Sequence, residues 1–166
     1  MKCSMATFVC SILLINILMP VAAETVMIYS DKSLGLGDEK NAIRYIEDGI
    51  MEVFFDAGHI IFNGTYQMIA GSEEEEENLF NDSPVYRIAK SGGASYILNI
   101  QLRFTEDEED LLPVSASYTF IDLSTERNLA SGLVPLEKGN GWKEKEPHEL
   151  VQSLGRRLGI EALKGL

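Results

Sequence analysis

Two runs of carboxylates are the residues of this chain best suited to chemistry. They hold ten of its 26 acidic residues: Glu73, Glu74, Glu75, Glu76, Glu77, Glu106, Asp107, Glu108, Glu109 and Asp110. Carboxylate oxygens bind divalent cations and attract basic partners, whereas runs of like charge are also typical of solvated loops. Neither run alternates aspartates around a glycine, as a calcium loop would. Among functional roles, the pattern therefore favours electrostatic contact with a protein partner.

Trp142 is the third candidate for partner binding, and it lies in a Gly-Asn-Gly-Trp-Lys segment. An exposed tryptophan can anchor a partner, but the same side chain can fold back onto the core. The sequence leaves both interpretations open.

No other chemical motif is present. The two histidines, His59 and His148, lack a metal-ligand spacing. Gly35-Leu36-Gly37 lacks the third glycine of a dinucleotide site and the lysine and serine of a phosphate loop. No Gly-x-Ser-x-Gly motif occurs. We therefore predict no catalytic residue, no metal and no cofactor, and we expect the chain not to be an enzyme.

The overall charge narrows the choice of partners. The formal net charge is −12 and the isoelectric point is about 4.5. This balance argues against nucleic acid and against anionic lipid as partners. A chain of 166 residues with 45% hydrophobic residues is sufficient for one packed domain.

The amino terminus is typical of an export signal. Lys2 precedes an apolar run that ends at Pro20, and Val21-Ala22-Ala23 is a cleavage-like site. We predict a signal peptide over residues 1–23 and a mature domain over 24–166. Both cysteines lie in the signal, so the mature chain would be cysteine-free and without a membrane span. These features favour a periplasmic or envelope-associated bacterial protein.

Hydrophobic periodicity predicts the elements that position these residues. Apolar residues at Ile43, Ile46, Ile50 and Phe54 indicate an amphipathic helix from Asp38 to Gly58, with Arg44, Glu47 and Asp48 off the apolar stripe. Other helices are predicted to start at Ser72 or Ser83 and at Pro147. Strands are predicted at Thr25–Tyr29, Ile60–Phe62, Tyr96–Phe104, Val114–Phe120 and Leu129–Leu136.

The predicted order is β-α-β-α-β-β-β-α, an α/β (α+β) fold with a mixed sheet of about five strands and three helices. The last three strands form an antiparallel meander. Long strands of this kind can leave an exposed edge, which invites strand addition or a homodimer.

The strand Tyr96-Ile97-Leu98-Asn99-Ile100, which follows Gly93-Ala94-Ser95, and the strand ending in Ile121-Asp122-Leu123-Ser124-Thr125 carry a resemblance. They resemble the amino-terminal domain of the Tol–Pal translocation protein, the curli secretion lipoprotein and the penicillin-binding-protein activator lipoproteins. The helix followed by residues 56–62 fits the same layout. The resemblance implies a helix-backed mixed sheet for protein contacts in the bacterial cell envelope, without catalysis.

We therefore expect an exported, non-catalytic protein-interaction or assembly domain whose partners are envelope proteins. The alternative is a periplasmic protein that binds a small ligand or a divalent cation.

Overall fold

The computed structural model describes residues 23–30, 39–64, 83–104, 112–137 and 145–166. The elements are β1 (Thr25–Ser30), α1 (Glu39–Asp56), β2 (Ile60–Asn63), α2 (Pro84–Ser91), β3 (Tyr96–Arg103), β4 (Ser115–Asp122), β5 (Arg127–Pro135) and α3 (Pro147–Leu163). The predicted order β-α-β-α-β-β-β-α and the mixed α/β class are confirmed.

The five strands form one sheet in the order β2-β1-β3-β4-β5. β1 pairs in parallel with both β2 and β3, whereas β4 runs antiparallel to β3 and to β5. β1, β2, β3 and β5 consequently point in the same direction. Their carboxyl ends lie at the same end of the sheet, which we call the carboxyl end. β4 ends at the opposite end, which we call the amino end.

The larger part of the core lies between the sheet and the pair α1 and α3. Alternate residues of the central strands point to this side, among them Val26, Ile28, Leu98 and Phe120, all with no exposed surface. α1 buries the stripe predicted from its periodicity: Ile43, Ile46, Ile50 and Phe54. This two-helix layer is where most of the apolar surface is removed from water, so it supplies most of the hydrophobic stabilisation.

The short helix α2 covers part of the second face. Tyr86 and Ala89 pack there on Met27, Ile97 and Leu123. Ser83 caps the helix, because its hydroxyl accepts a hydrogen bond from the backbone N–H of Tyr86 at 3.3 Å. Beyond α2 this face is polar, and Gln101 and Arg103 are exposed on it. Among the described helices, α1 and α3 thus cover one face of the sheet, and α2 covers part of the other.

α1 and α3 approach so closely that their backbones touch. A Cβ atom at Gly49 would lie 2.3 Å from the carbonyl oxygen of Gln152, and one at Gly155 would lie 2.3 Å from the carbonyl oxygen of Ile46. Neither contact is possible for a real side chain, and backbone cannot move aside as a flexible side chain can. The glycine inside α1, which disfavours the isolated helix by about 1 kcal/mol relative to alanine, is therefore explained by packing.

Of the described helices, none is both long and apolar enough to cross a membrane. The predicted signal peptide and the helix start at Ser72 lie outside the described residues.

Gly155→Ala tests the close contact between the helices. Alanine favours a helix, but its methyl group would force α1 and α3 apart, so we expect the free energy of unfolding to fall by about 2 kcal/mol or more. Chemical denaturation measures the change. Ser153→Ala, at an exposed position of the same helix, is the control and should change stability by no more than about 0.5 kcal/mol. Equal stability of the two variants would contradict the packing argument.

Candidate partner-binding end of the sheet

The carboxyl end of the sheet is where the chain segments outside the described residues are attached. Residues 31–38 follow β1, residues 65–82 follow β2, residues 105–111 follow β3 and residues 138–144 follow β5. These four strands are parallel to one another. All four segments therefore start at the carboxyl end of the sheet, although they are far apart in sequence.

All the predicted partner-binding residues belong to these segments. Glu73–Glu77, Glu106–Asp110 and Trp142 lie outside the described residues, so their side-chain contacts remain a prediction. What the described residues provide is their points of attachment: Asn63 and Gly64 precede the first run, Phe104 precedes the second, and Glu137 precedes the segment with Trp142.

A buried carboxylate holds two of these strand ends together. Glu47 of α1 is only 4% exposed. Its Oε1 accepts a hydrogen bond from the hydroxyl of Ser30 at 2.6 Å, and its Oε2 accepts one from Nδ2 of Asn63 at 2.9 Å. Ser30 is the last residue of β1 and Asn63 the last of β2. These two hydrogen bonds join α1 to the last residues of β1 and β2, so the cluster fixes the place from which two segments leave the sheet.

The prediction that Glu47 lies off the buried stripe of α1 is wrong. Glu47 stands four residues after Ile43 and three before Ile50, so it occupies the same helical face as the core residues. A carboxylate tolerates burial when it has hydrogen-bond donors, and the ends of β1 and β2 supply them. The spacing alone could have revealed this position, but not its polar partners, which come from strands distant in sequence.

The amino end of the sheet is closed by hydrogen bonds of its own. The hydroxyl of Tyr96 donates to Oε1 of Glu24 at 2.9 Å. Burial raises the pKa of Tyr96 to about 12, and the hydrogen bond to Glu24 acts in the same direction. The hydroxyl of Tyr86 donates to the carbonyl of Leu123 at 2.7 Å, which ties α2 to the end of β4.

The turn between β4 and β5, also at the amino end, is held by Asp122. Its Oδ1 accepts hydrogen bonds from the backbone N–H and the hydroxyl of Ser124, both at 2.7 Å, and its Oδ2 accepts one from the hydroxyl of Thr125 at 2.8 Å. These hydrogen bonds stabilise the carboxylate, so they lower the pKa of Asp122 to about 2. The Asp122 side chain therefore stabilises the turn that follows it.

Neither histidine joins a catalytic arrangement of described residues. His59 packs edge-on against Phe54, with ring centroids 5.8 Å apart, and His148 contacts Tyr45 with centroids 5.4 Å apart and the rings tilted by 38°. Within the described ranges, no group of three or more His, Cys, Asp or Glu side chains is arranged to hold a metal ion.

Comparison with known proteins identifies the fold. No protein-family model matches the sequence, and no curated protein matches it. Solved structures do match. A PelC variant from Paraburkholderia phytofirmans, a dodecamer, superposes with a TM-score of 0.50 at 14% identity, covering 84% of this chain and 89% of PelC.

Two further solved structures come from the proteins that the sequence resembles. TolB from Acinetobacter baumannii gives a TM-score of 0.43 at 13% identity, over 87% of this chain and 29% of TolB. The LpoB C-terminal domain from Salmonella enterica gives 0.38 at 15% identity, over 74% of this chain and 89% of that domain. This chain shares the fold of PelC. The expected resemblance is confirmed at the level of fold.

Glu47→Ala tests the buried cluster. It leaves the hydroxyl of Ser30 and the amide of Asn63 without their acceptor, so we expect the free energy of unfolding to fall by about 3 kcal/mol. Glu47→Gln keeps one oxygen acceptor and should cost about half as much. Glu52→Ala removes an exposed carboxylate of the same helix and should cost less than about 1 kcal/mol. Denaturant titration compares the three variants, and similar values for Glu47→Ala and Glu52→Ala would refute the role of the cluster.

Asp122 predicts a specific pH dependence. Its folded pKa lies below the ordinary value, so its stabilising effect is complete above about pH 4 and is lost as the pH falls toward about 2. The gap in melting temperature between the native chain and Asp122→Ala should close over that range. Titration of the carboxyl carbon by nuclear magnetic resonance measures the pKa directly. Ser124→Ala should raise this pKa, because it removes the hydroxyl donor. A native value near 3.8 would contradict the assignment.

Proposed function

We propose that this chain is an exported, non-catalytic domain of the bacterial cell envelope that binds or assembles with other envelope proteins. The carboxyl end of the sheet is the partner-binding end. One observation carries the proposal. The segments with Glu73–Glu77, Glu106–Asp110 and Trp142 all leave the sheet at its carboxyl end. The described residues that precede these segments, Gly64, Phe104 and Glu137, follow strands whose carboxyl ends lie at the same end of the sheet.

The distribution of charge supports this proposal. Of the 26 acidic residues, 15 lie outside the residues whose side chains the structure describes. The described part holds 11 acidic and nine basic residues and is close to neutral. The excess negative charge therefore belongs mainly to segments that are attached at the carboxyl end, and we propose that a basic partner is attracted to these segments. Such a field mainly accelerates association and is weakened by salt.

The fold itself is compatible with assembly. The PelC variant that superposes on this chain is a dodecamer, so a domain of this architecture can be a subunit of a larger assembly. A helix-covered face gives such a subunit a rigid body, and the strand ends position segments that can differ between members of the fold.

Cross-linking in the native envelope tests the proposal. Quantitative mass spectrometry compares the native chain with two variants, one with Glu74, Glu75, Glu76 and Glu77 changed to Gln, the other with Glu106, Asp107, Glu108 and Glu109 changed to their amides. We expect a reproducible envelope protein whose capture falls about tenfold in at least one variant. Capture by the native chain should fall in the same way as salt rises from about 0.05 to about 0.5 M.

The matched control neutralises four carboxylates at the amino end or on the helices away from the carboxyl end: Glu52, Asp56 and Glu126, which are exposed, and Glu161, which is partly exposed. It removes as much charge and should leave capture unchanged. If the control lowers capture as much as the acidic-run variants do, the effect is net charge alone and the site is wrong. A native chain that captures no reproducible envelope protein would overturn the proposed function.

The same material tests export. The protein recovered from the envelope should begin at Glu24, and intact mass spectrometry measures this. Recovery of the chain with residues 1–23 still attached would contradict cleavage after Ala23.

A further inference from the structure

The outer edge of β5 has a short stretch of unpaired backbone groups. No described strand pairs with this side of β5. In an antiparallel pair, successive residues direct their N–H and C=O groups alternately toward the partner strand and away from it. The N–H of Leu136 donates to the carbonyl of Val114 on the β4 side. Ser131 and Leu133 therefore direct their backbone groups outward.

Both ends of this stretch are closed. Pro135 has no N–H, and its carbonyl accepts a hydrogen bond from Nη1 of Arg157 at 3.0 Å. Toward the start of β5, the pairing with β4 shifts register between Phe120 and Ile121, so a bulge ends the regular edge. The open stretch is therefore only a few residues long and is centred on Gly132.

A buried tyrosine lies beside this stretch, on the face of the sheet that α3 covers. Tyr118 of β4 pairs with Gly132, and a Cβ atom at Gly132 would lie 3.1 Å from Cε1 and 3.4 Å from the hydroxyl oxygen of Tyr118. The far end of the ring therefore lies over Gly132. Tyr118 is only 8% exposed, yet its hydroxyl makes no hydrogen bond with any residue that the structure describes. Buried hydroxyls normally have a partner, so this one points to a ligand that supplies it.

The Tyr118 hydroxyl adjoins a groove of about 550 Å³ between β5 and α3. Ile160 of α3, which is 50% exposed, forms an apolar wall. Two charged side chains line the groove, and both are already paired. Arg157 pairs with Glu137 at 2.8 Å, and Glu161 pairs with Lys164 at 2.6 Å. The groove thus has no net charge to attract an ion, so an uncharged side chain suits it.

An amide side chain matches the remaining polar group. Burial raises the pKa of Tyr118, and the negative charge of Glu161 acts in the same direction, so the hydroxyl stays protonated and can donate. An amide oxygen accepts such a hydrogen bond without carrying a charge. The residue that an added strand places opposite Gly132 has its side chain on the α3 face, because paired residues share a face of the sheet. Glutamine there has an apolar stem for Ile160 and an amide for Tyr118.

We propose that the outer edge of β5 binds an extended segment of a partner protein, which places glutamine opposite Gly132. The segment adds a strand to the sheet through hydrogen bonds to the outward backbone groups of Ser131 and Leu133. Its glutamine amide accepts a hydrogen bond from the Tyr118 hydroxyl, and the stem of that side chain covers Ile160. The backbone bonds hold the segment, and the amide selects it.

A second copy of this chain does not meet this description. Neither of the two outer strands, β2 and β5, has an amide at a position that would lie opposite Gly132. Those positions alternate with the residues whose backbone groups point outward, and they are Ile60 and Phe62 in β2 and Ala130, Gly132 and Val134 in β5. The chemistry of the groove therefore favours a segment of a different protein.

A synthetic peptide tests the proposal with the purified chain. The probe is Thr-Thr-Val-Gln-Val-Thr-Thr, acetylated and amidated at its ends, which reads the same in both strand directions. Fluorescence anisotropy of a labelled peptide measures the dissociation constant. We expect binding, and replacing the glutamine with alanine should weaken it about tenfold, because the Tyr118 hydroxyl loses its acceptor. In nuclear magnetic resonance spectra, the N–H signals of Ser131 and Leu133 should shift most on binding.

Variants of the chain locate the contact. Tyr118→Phe should weaken binding of the glutamine peptide about tenfold and leave the alanine peptide unchanged, because only the first pair loses a hydrogen bond. Tyr45→Phe removes a hydroxyl far from the groove and should change neither. Ser131→Pro removes an edge N–H and should weaken both peptides at least about tenfold, whereas Ser131→Ala keeps the N–H and is its control. Melting curves check that all variants fold.

Four results would each overturn the proposal. They are no binding of the glutamine peptide up to about 1 mM, equal binding of the two peptides, a Tyr118→Phe chain that binds both peptides as the native chain does, and a native dimer that Ser131→Pro dissociates. The last result would show that a second copy occupies the edge instead. None of these measurements involves an envelope partner or the acidic runs, so this proposal and the proposed function fail separately.

Discussion

The backbone contact between α1 and α3 is the constraint on which the rest of the structure depends. One face of the sheet must be covered by two helices, and they cover it without a gap only because Gly49 and Gly155 let them approach to backbone distance. This approach sets where α1 lies over β1 and β2. It therefore also sets where Glu47 reaches the ends of these strands. The geometry of the carboxyl end thus depends on how the two helices pack.

Polar side chains have different roles at the two ends of the sheet. At the amino end, Asp122 accepts hydrogen bonds from the backbone N–H and the hydroxyl of Ser124 and so stabilises a turn. Tyr86 donates a hydrogen bond to the backbone carbonyl of Leu123 and so links α2 to the end of β4. At the carboxyl end, one buried carboxylate joins β1 and β2. The described connections at the amino end are short, whereas four longer segments are attached at the carboxyl end.

The order of elements was predictable because it depends on local periodicity. Tyr96 to Phe104 alternates as a half-buried strand should, and Ser83-Pro84 starts α2 as a cap followed by proline should. Strand order within the sheet was not predictable in this way. The place of β1 between β2 and β3, and hence the meeting of Ser30 with Asn63 at Glu47, results from pairing between residues far apart in the chain. The predicted acidic site remains a prediction, because its residues lie outside the described ranges.

The attachment of four segments at the carboxyl end of the sheet has an evolutionary consequence. A longer connection between fixed strand ends costs closure entropy that grows only with the logarithm of its length, about 0.6 kcal/mol for each doubling. Insertions and changes of charge at this end are therefore nearly independent of the glycine contact between the helices and of the core beneath them. These connections can therefore change in length and charge over evolution, while selection on stability acts on a different set of residues.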